Sequence, residues 1–228
     1  MLDSQLFPPA ARYCYVRTMP NTEEPNLLNY KQLHPLEQTL VSQSLDVRKS
    51  EFGDARWCAH QALRELGAIG QEPILKGERG MPLWPEGFVG SITHTSGFRA
   101  AVAARAEDIW SLGLDAEPSE PLPRGVLKAI ARKEELQRVE ELKRRGIEYS
   151  DRLLFCAKEA TYKAWFPLTF RFLDFDEADI DLREDGTLTA YILARPTPVP
   201  LIHGKWLAKD GYVVVSTTIE HRQCSALV

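Results

Sequence analysis

The chain has 228 residues, 44% of them hydrophobic and 26% charged, and a net charge of −4. That is ordinary for a soluble globular protein, long enough for one large domain or two small ones with real cores. The acidic balance argues against a general nucleic-acid binder, which is usually basic. No apolar run is long enough to span a bilayer, and the N-terminus lacks the basic segment and apolar core of a signal peptide. Cys14, Cys58, Cys156 and Cys224 show no CxxC spacing, so spacing indicates neither a zinc site nor a redox pair. With Cys58 and Cys156 on helical patterns, the expectation is buried free thiols in a reducing cytoplasm.

Residues Met1 to Asn29 are rich in proline and polar residues, with an edge strand expected at Tyr13 to Arg17 and then a loop. A short helix is expected over His34 to Leu45 and a longer one over Leu45 to Leu66, capped by Ser44 or Asp46. The apolar side of the longer helix runs Phe52, Ala55, Ala59, Leu63, Leu66. Arg48, Lys49 and Arg56 lie off that stripe. Taken alone they are a solvated basic face; beside a phosphate site they become candidate ligands. Gly67 ends the helix. The segment Pro73 to Gly87 is broken by glycine and proline and carries Lys76 and Arg79, either as a plain turn region or as the rim of a ligand site.

Phe88 to Arg105 reads as a hairpin turning at Thr95-Ser96-Gly97. It places Thr93 and His94 at a strand end among hydroxyl residues and Gly97, a grouping of small donors that suits a phosphate. A structural histidine is the alternative. Ile109 to Glu117 reads as an interior strand with an acidic tip. Asp115 and Glu117 are two apart, so they point to one side. Carboxylates at a strand end are a usual way to hold Mg²⁺, and a solvated strand end is the plain reading.

Gly125 to Gly146 is helical and densely charged, most simply a solvated face. The stretch Leu153 to Phe172 then reads as one strong helix, with Asp151 as N-cap and Pro167 as stop. Lys158, Glu159 and Lys163 sit among its large apolar residues. Glu159 and Lys163 lie four apart, and as a surface pair would contribute about 0.2–0.5 kcal/mol. Three strand-like runs follow: Ala178 to Leu182, Leu188 to Ala194, and a hairpin over Lys205 to Ile219 turning at Lys209 to Gly211.

Each half is thus a long helix plus a few strands, which suggests two related lobes, 1–111 and 112–228. The His94 turn and the basic helix fall in the first, the acidic strand end and the strong helix in the second. A site using all of them would lie between the lobes. If Asp115, Glu117 and Glu159 converge, two carboxylates about 5 Å apart repel by roughly 3 kcal/mol at an effective dielectric of ~20. Protons, lysines (Lys158, Lys163) or a metal must offset this. A hard divalent cation with oxygen ligands fits best, and the surplus of cations suits a ligand with several phosphates.

Three segments, GSITH (Gly90–His94), GLDAE (Gly113–Glu117) and FCAKEATYKAW (Phe155–Trp165), resemble in order and spacing the 4′-phosphopantetheinyl transferases, in the branch of siderophore-pathway and actinobacterial enzymes. VRKSEF (Val47–Phe52) with Arg56, and KGERGMPLWP (Lys76–Pro85), match as well. The likeness covers Leu45 to Phe172. Ala160 and Ala116 stand where many members have serine and isoleucine, neither of them a change of ligand type.

The resemblance implies an α+β fold of two pseudo-symmetric lobes, each a small sheet packed on a long helix, in a cytoplasmic monomer with no nucleic-acid or membrane partner. It implies Mg²⁺ (or Mn²⁺) on Asp115, Glu117 and Glu159, and coenzyme A as substrate. An apo acyl or peptidyl carrier protein would be the acceptor, modified at a serine, and adenosine 3′,5′-bisphosphate would be released. Glu159, or a metal-bound water, would be the base, and Lys158 would touch phosphate near the leaving group. Thr93 and His94 would hold a coenzyme A phosphate. Arg48, Lys49, Arg56, Lys76, Arg79 and Lys163 are further candidates for the cofactor's phosphates, and Phe155, Tyr162 and Phe172 for its pantetheine arm. The rivals are a metal-dependent nucleotide phosphoesterase using the same carboxylates and a non-enzymatic carrier-binding module.

Overall fold

The computed structural model describes residues 2–18, 25–70 and 72–221. Cys224 and part of the expected N-terminal loop lie outside them. The chain divides into two compact units, Pro9–Ile109 and Met1–Pro8 with Trp110–Val228. Both combine helices with antiparallel sheet, the α+β class expected.

In the Pro9–Ile109 unit, β1 (Arg12–Arg17) precedes short helices α1 (Leu28–Gln32) and α2 (Pro35–Thr39), then the long α3 (Asp46–Glu65). A two-stranded ribbon, β2 (Leu75–Lys76) with β3 (Pro82–Leu83), leads to the hairpin β4 (Phe88–Thr95) and β5 (Phe98–Arg105). The sheet order is β1-β5-β4, so β1 is an edge strand, as its sequence suggests. The face of α3 toward the sheet is made of small residues. Cys58, Ala59, Ala62 and Leu63 pack with Ala101 and Ala103 of β5, and side chains this short let helix and sheet approach closely. The cap expected at Ser44 or Asp46 is not made. Leu45 takes the N-cap place in extended backbone with no side-chain bond.

The expected helix over His34 to Leu45 is shorter, Pro35–Thr39, and it is fixed at one point. Glu37 of α2 is fully buried and accepts from His60 Nε2 at 2.9 Å and from the Ile74 N–H at 3.2 Å. One carboxylate therefore ties α2 to α3 and to the chain entering β2.

The other unit begins with β6 (Ser111–Pro118), followed by α4 (Val126–Ile130), α5 (Lys133–Arg144) and the long α6 (Ser150–Thr169). Four strands follow: β7 (Ala178–Leu182), β8 (Thr187–Ile192), β9 (Leu201–Lys209) and β10 (Tyr212–Ile219). The sheet order is β6-β10-β9-β8-β7, all antiparallel. Leu153, Leu154 and Trp165 of α6 form the core with Ile180, Leu188, Ile192, Ile202, Val213 and Val215 of the sheet.

Three expectations are corrected here. The charged helix breaks in two at Ala131, whose backbone is extended. Pro167 lies inside the last turn of α6, which stops only at Phe170, a residue in left-handed backbone (φ 52°). The proline removes one helical hydrogen bond and crowds the carbonyl four residues back, yet the helix runs two residues beyond it, to Thr169. Finally, β6 is an edge strand and not an interior one. Its apolar sequence reflects burial of both faces: Leu112 and Leu114 are fully buried and Asp115 is only 6% exposed.

Candidate active site

The carboxylates are placed by the way β6 lies against α6. A two-residue step along a strand covers about 6.6 Å and a four-residue step along a helix about 6.0 Å, so alternate strand residues can match successive helical turns. That match is realised. Ser111 Oγ donates to Ala164 O at 2.6 Å. Gly113 sits so near Ala160 that a Cβ on it would be 1.9 Å from the Ala160 carbonyl oxygen. Burial and then the charge of Asp115 raise the pKa of the Cys156 thiol, and Arg152 Nη1 donates to Glu117 Oε2 at 3.1 Å. Each step of two down β6 is a step of four back along α6. Glycine at 113 is what allows the approach, and small residues at 156, 160 and 164 face it.

Asp115 and Glu117 therefore share the face turned to α6, as their spacing predicts. Lys163 Nζ lies 2.6 Å from Asp115 Oδ1 and also donates to Leu114 O at 3.1 Å. Burial raises the pKa of Glu117, and the charge of Asp115 raises it further, against Arg152. Burial and then Asp115 likewise raise Glu159, against Lys163. Burial alone would lower Lys163, but Asp115 and Glu159 outweigh it and carry the ammonium upward. The charge of Asp115 thus acts on both Glu117 and Glu159, with Lys163 beside it.

They do not form a metal cage. Among the described residues, no three His, Cys, Asp or Glu side chains are grouped so as to hold an ion. Lys163 and Arg152 contact the strand carboxylates instead. The donor set still suits a hard divalent cation: the three acids offer only oxygen ligands, and burial with like charge disfavours the ionised forms of Glu117 and Glu159, which such a cation would reverse. Arg152 is the participant that the sequence reading missed. Its signal was available, since Arg152, Glu159 and Lys163 stand at i, i+7 and i+11 on one helical face.

Lys158 departs from its expected role. It is 4% exposed and ion-paired with the fully buried Glu135 of α5 at 2.9 Å. It also donates to the carbonyls of Phe175 at 2.6 Å and Ala178 at 2.8 Å. An ammonium has three donors, and all three are committed. Burial lowers its pKa, against the pull of Glu135. Glu135 in turn accepts from the Ile180 N–H at 2.7 Å and the Arg132 N–H at 2.7 Å. In this structure Lys158 fastens α6 to α5 and to the start of β7, and it is Lys163 that stands beside the carboxylates.

In the Pro9–Ile109 unit, two of the candidates meet. Arg48 Nη1 donates to His94 Nε2 at 2.7 Å, joining the first turn of α3 to the end of β4. Glu51 bridges Arg48 and Arg99, at 3.4 and 3.2 Å. Other candidates are placed elsewhere. Thr93 is 2% exposed, while its neighbour His94 is exposed; consecutive strand residues face opposite ways, so the two do not present together. Arg56 is 7% exposed, 3.9 Å from Glu37 and stacked over Phe52. Burial pulls its pKa down to about 10. Lys49 pairs with Asp46 at 3.4 Å. Lys76 and Arg79 are exposed on the β2–β3 ribbon, Arg79 in left-handed backbone.

The aromatic candidates fall in two groups. Phe155 lies 6.3 Å from Phe175. Tyr162 packs on Phe166 at 5.4 Å and edge-on against Phe172 at 5.6 Å. Phe172 is 45% exposed, so this cluster opens to solvent at one end.

Residues 36–104 match the model of the 4′-phosphopantetheinyl transferase N-terminal domain, and residues 111–217 that of the 4′-phosphopantetheinyl transferase superfamily. The chain is 42% identical to the 4′-phosphopantetheinyl transferase Npt of Nocardia iowensis, over 85% of this chain and 94% of that protein. It is 41% identical to the transferase PptT of Mycobacterium tuberculosis, over 81% of this chain and 85% of that one. With the transferase Svp of Streptomyces mobaraensis the identity is 44%, over 82% and 78%. The matched region takes in β6, α6 and the helix and hairpin that carry Arg48 and His94, and at this identity and coverage the chain belongs to the 4′-phosphopantetheinyl transferase family.

Proposed function

We propose that the chain moves the phosphopantetheinyl group of coenzyme A to a serine hydroxyl of an apo acyl or peptidyl carrier protein, releasing adenosine 3′,5′-bisphosphate. The observation that carries this is the group of Asp115, Glu117 and Glu159 on the β6–α6 seam, with Lys163 on Asp115. These three acids would hold Mg²⁺, or Mn²⁺ in its place. When bound, the ion supplies charge neutralisation at the pyrophosphate.

The chain's own residues do the rest. The serine oxygen attacks the phosphorus bearing the pantetheine arm, and the bond to the bisphosphate breaks. Glu159 accepts the serine proton at a carboxylate oxygen, directly or through water. Lys163 orients Asp115 by its 2.6 Å bond and offsets the like charges around it. Arg48, preset against His94, presents a planar donor pair to a coenzyme A phosphate, and the exposed Lys76 and Arg79 add positive charge. The open end of the Tyr162–Phe172 contact offers an apolar surface to the pantetheine arm. An acidic carrier helix would meet the chain's basic surface, with binding that weakens as salt rises.

The test is to incubate the chain with Mg²⁺, coenzyme A and apo carriers of the fatty-acid, polyketide and peptide-synthetase types, and to weigh the carrier. A gain of one phosphopantetheinyl unit is expected. Hydrolysis of coenzyme A with no gain on any carrier would overturn the proposal.

A further inference from the structure

Arg48 stands in the first turn of α3 with 43% of its side chain exposed, and Glu51 meets it at 3.4 Å from one turn on. Alone, such a pair would hold little, because exposed ion pairs at this spacing are weak. The other oxygen of Glu51 makes the difference. Oε1 accepts from Arg99 Nη2 at 3.2 Å, while Oε2 faces Arg48. Arg99 belongs to β5 and has only 8% of its side chain exposed. Its Nη1 donates to the Thr95 carbonyl oxygen and to Thr18 Oγ1, both at 3.3 Å. A planar guanidinium held at both terminal nitrogens in a buried place is a rigid anchor.

The contacts close on themselves. Arg48 Nη1 also donates to His94 Nε2 at 2.7 Å. His94 is the residue opposite Arg99 in the β4–β5 register, and opposed residues have neighbouring side chains. The path Arg99–Glu51–Arg48–His94 therefore leaves β5, crosses to α3 and returns to β4 beside its starting point. Both contacts of Arg48 use Nη1, which leaves its Nε and Nη2 donors for an anion.

We infer that Glu51 is a positioning residue: braced by Arg99, it holds the Arg48 guanidinium ready for a coenzyme A phosphate. The inference rests on Arg48 being a phosphate ligand, as the proposed function has it. Glu51 acts through Arg48 and does not touch the cofactor. A loose arginine gives up its rotamers when it grips a phosphate, and one already held does not, so affinity is gained by preorganisation. A brace and a bare charge have opposite signatures here. Coenzyme A is a polyanion, so removing the negative charge of Glu51 would tighten binding by Coulomb attraction alone. Loss of the brace loosens it.

The experiment is calorimetric titration of coenzyme A into the full chain, for the native protein, Glu51→Gln, Arg48→Ala and the double variant, with steady-state transfer to an apo carrier alongside. Glu51→Gln should weaken coenzyme A binding about tenfold, within the range for coupled members of one ion-pair network. The loss should fall on KM, with kcat near that of the native chain. In the Arg48→Ala background the same change should cost nothing further. Glu51→Asp keeps the charge but is one methylene too short to bridge both arginines, and it should also weaken binding. Affinity in Glu51→Gln equal to or tighter than native would overturn the inference. So would an equal loss on top of Arg48→Ala, the mark of a general structural role. A native chain that binds no coenzyme A would overturn the proposed function and this inference with it.

Discussion

The two units solve the same construction problem differently. Each lays one 20-residue helix, α3 or α6, on an antiparallel sheet. The face of α3 toward its sheet is alanine and cysteine with a single leucine, Leu63, among its buried positions, and its cations Arg48 and Lys49 stay partly exposed at the first turn. The seam of α6 carries charge inside it: Lys158 against Glu135, Lys163 against Asp115 and Arg152 against Glu117. An unpaired charge in such a place would cost several kcal/mol, and a paired one can come close to break-even. The lesson is that charge can be gathered at a helix–sheet seam only when each group has a partner. It follows that variants in the α6 seam should be costly or diagnostic, while those at the start of α3 should touch binding alone.

The largest effect expected is from Glu135→Ala. It leaves the Lys158 ammonium buried without its counter-ion, and should destabilise the chain by about 3–5 kcal/mol, read as a lowered denaturant midpoint. A midpoint within error of the native chain would break the contrast between the units. A comparable loss is expected from Gly113→Val, since its Cβ would lie 1.9 Å from the Ala160 carbonyl oxygen, and overpacking of this kind costs about 1–3 kcal/mol or more.

Glu159→Gln separates chemistry from folding. Transfer should be lost while coenzyme A binding is largely kept. The folded chain raises the pKa of Glu159 above its ordinary value, so the native state holds the proton more tightly than the unfolded one. This carboxyl's contribution to stability is therefore fully present below the unfolded pKa, about 4.3, and is lost as pH rises through the folded value. The variant should melt higher than the native chain at pH 7, with the gap closing as pH falls below the unfolded pKa. A variant that melts lower at pH 7 would contradict the assignment.

At the start of α3, Arg48→Ala should raise the KM for coenzyme A by roughly tenfold, about 1.4 kcal/mol, with little change in kcat or melting temperature. Smallest of all, Lys49→Ala removes an exposed pair with Asp46 and should shift stability by less than about 0.5 kcal/mol.

Much of this was legible in the sequence. Period-two spacing put Asp115 and Glu117 on one face, turn residues set the β4–β5 hairpin, and helical spacing marked α3 and α6. What failed to show depended on which way a side chain turns in three dimensions. Lys158 and Lys163 are both lysines on α6, five residues apart, and only the packed structure sends one into the α5–β7 corner and the other to Asp115. Thr93 and His94 are neighbours in sequence but on opposite faces of β4. The edge position of β6 was hidden because both of its faces are buried, so it reads like an interior strand.

The central claim, that the carboxylates of β6 and α6 serve one divalent ion, is tested most directly by electron paramagnetic resonance of Mn²⁺ titrated into the chain with coenzyme A present. The native chain should bind one Mn²⁺, and Asp115→Asn and Glu159→Gln should each lose it while still unfolding in a single cooperative transition. Undiminished Mn²⁺ binding in both folded variants would contradict the account.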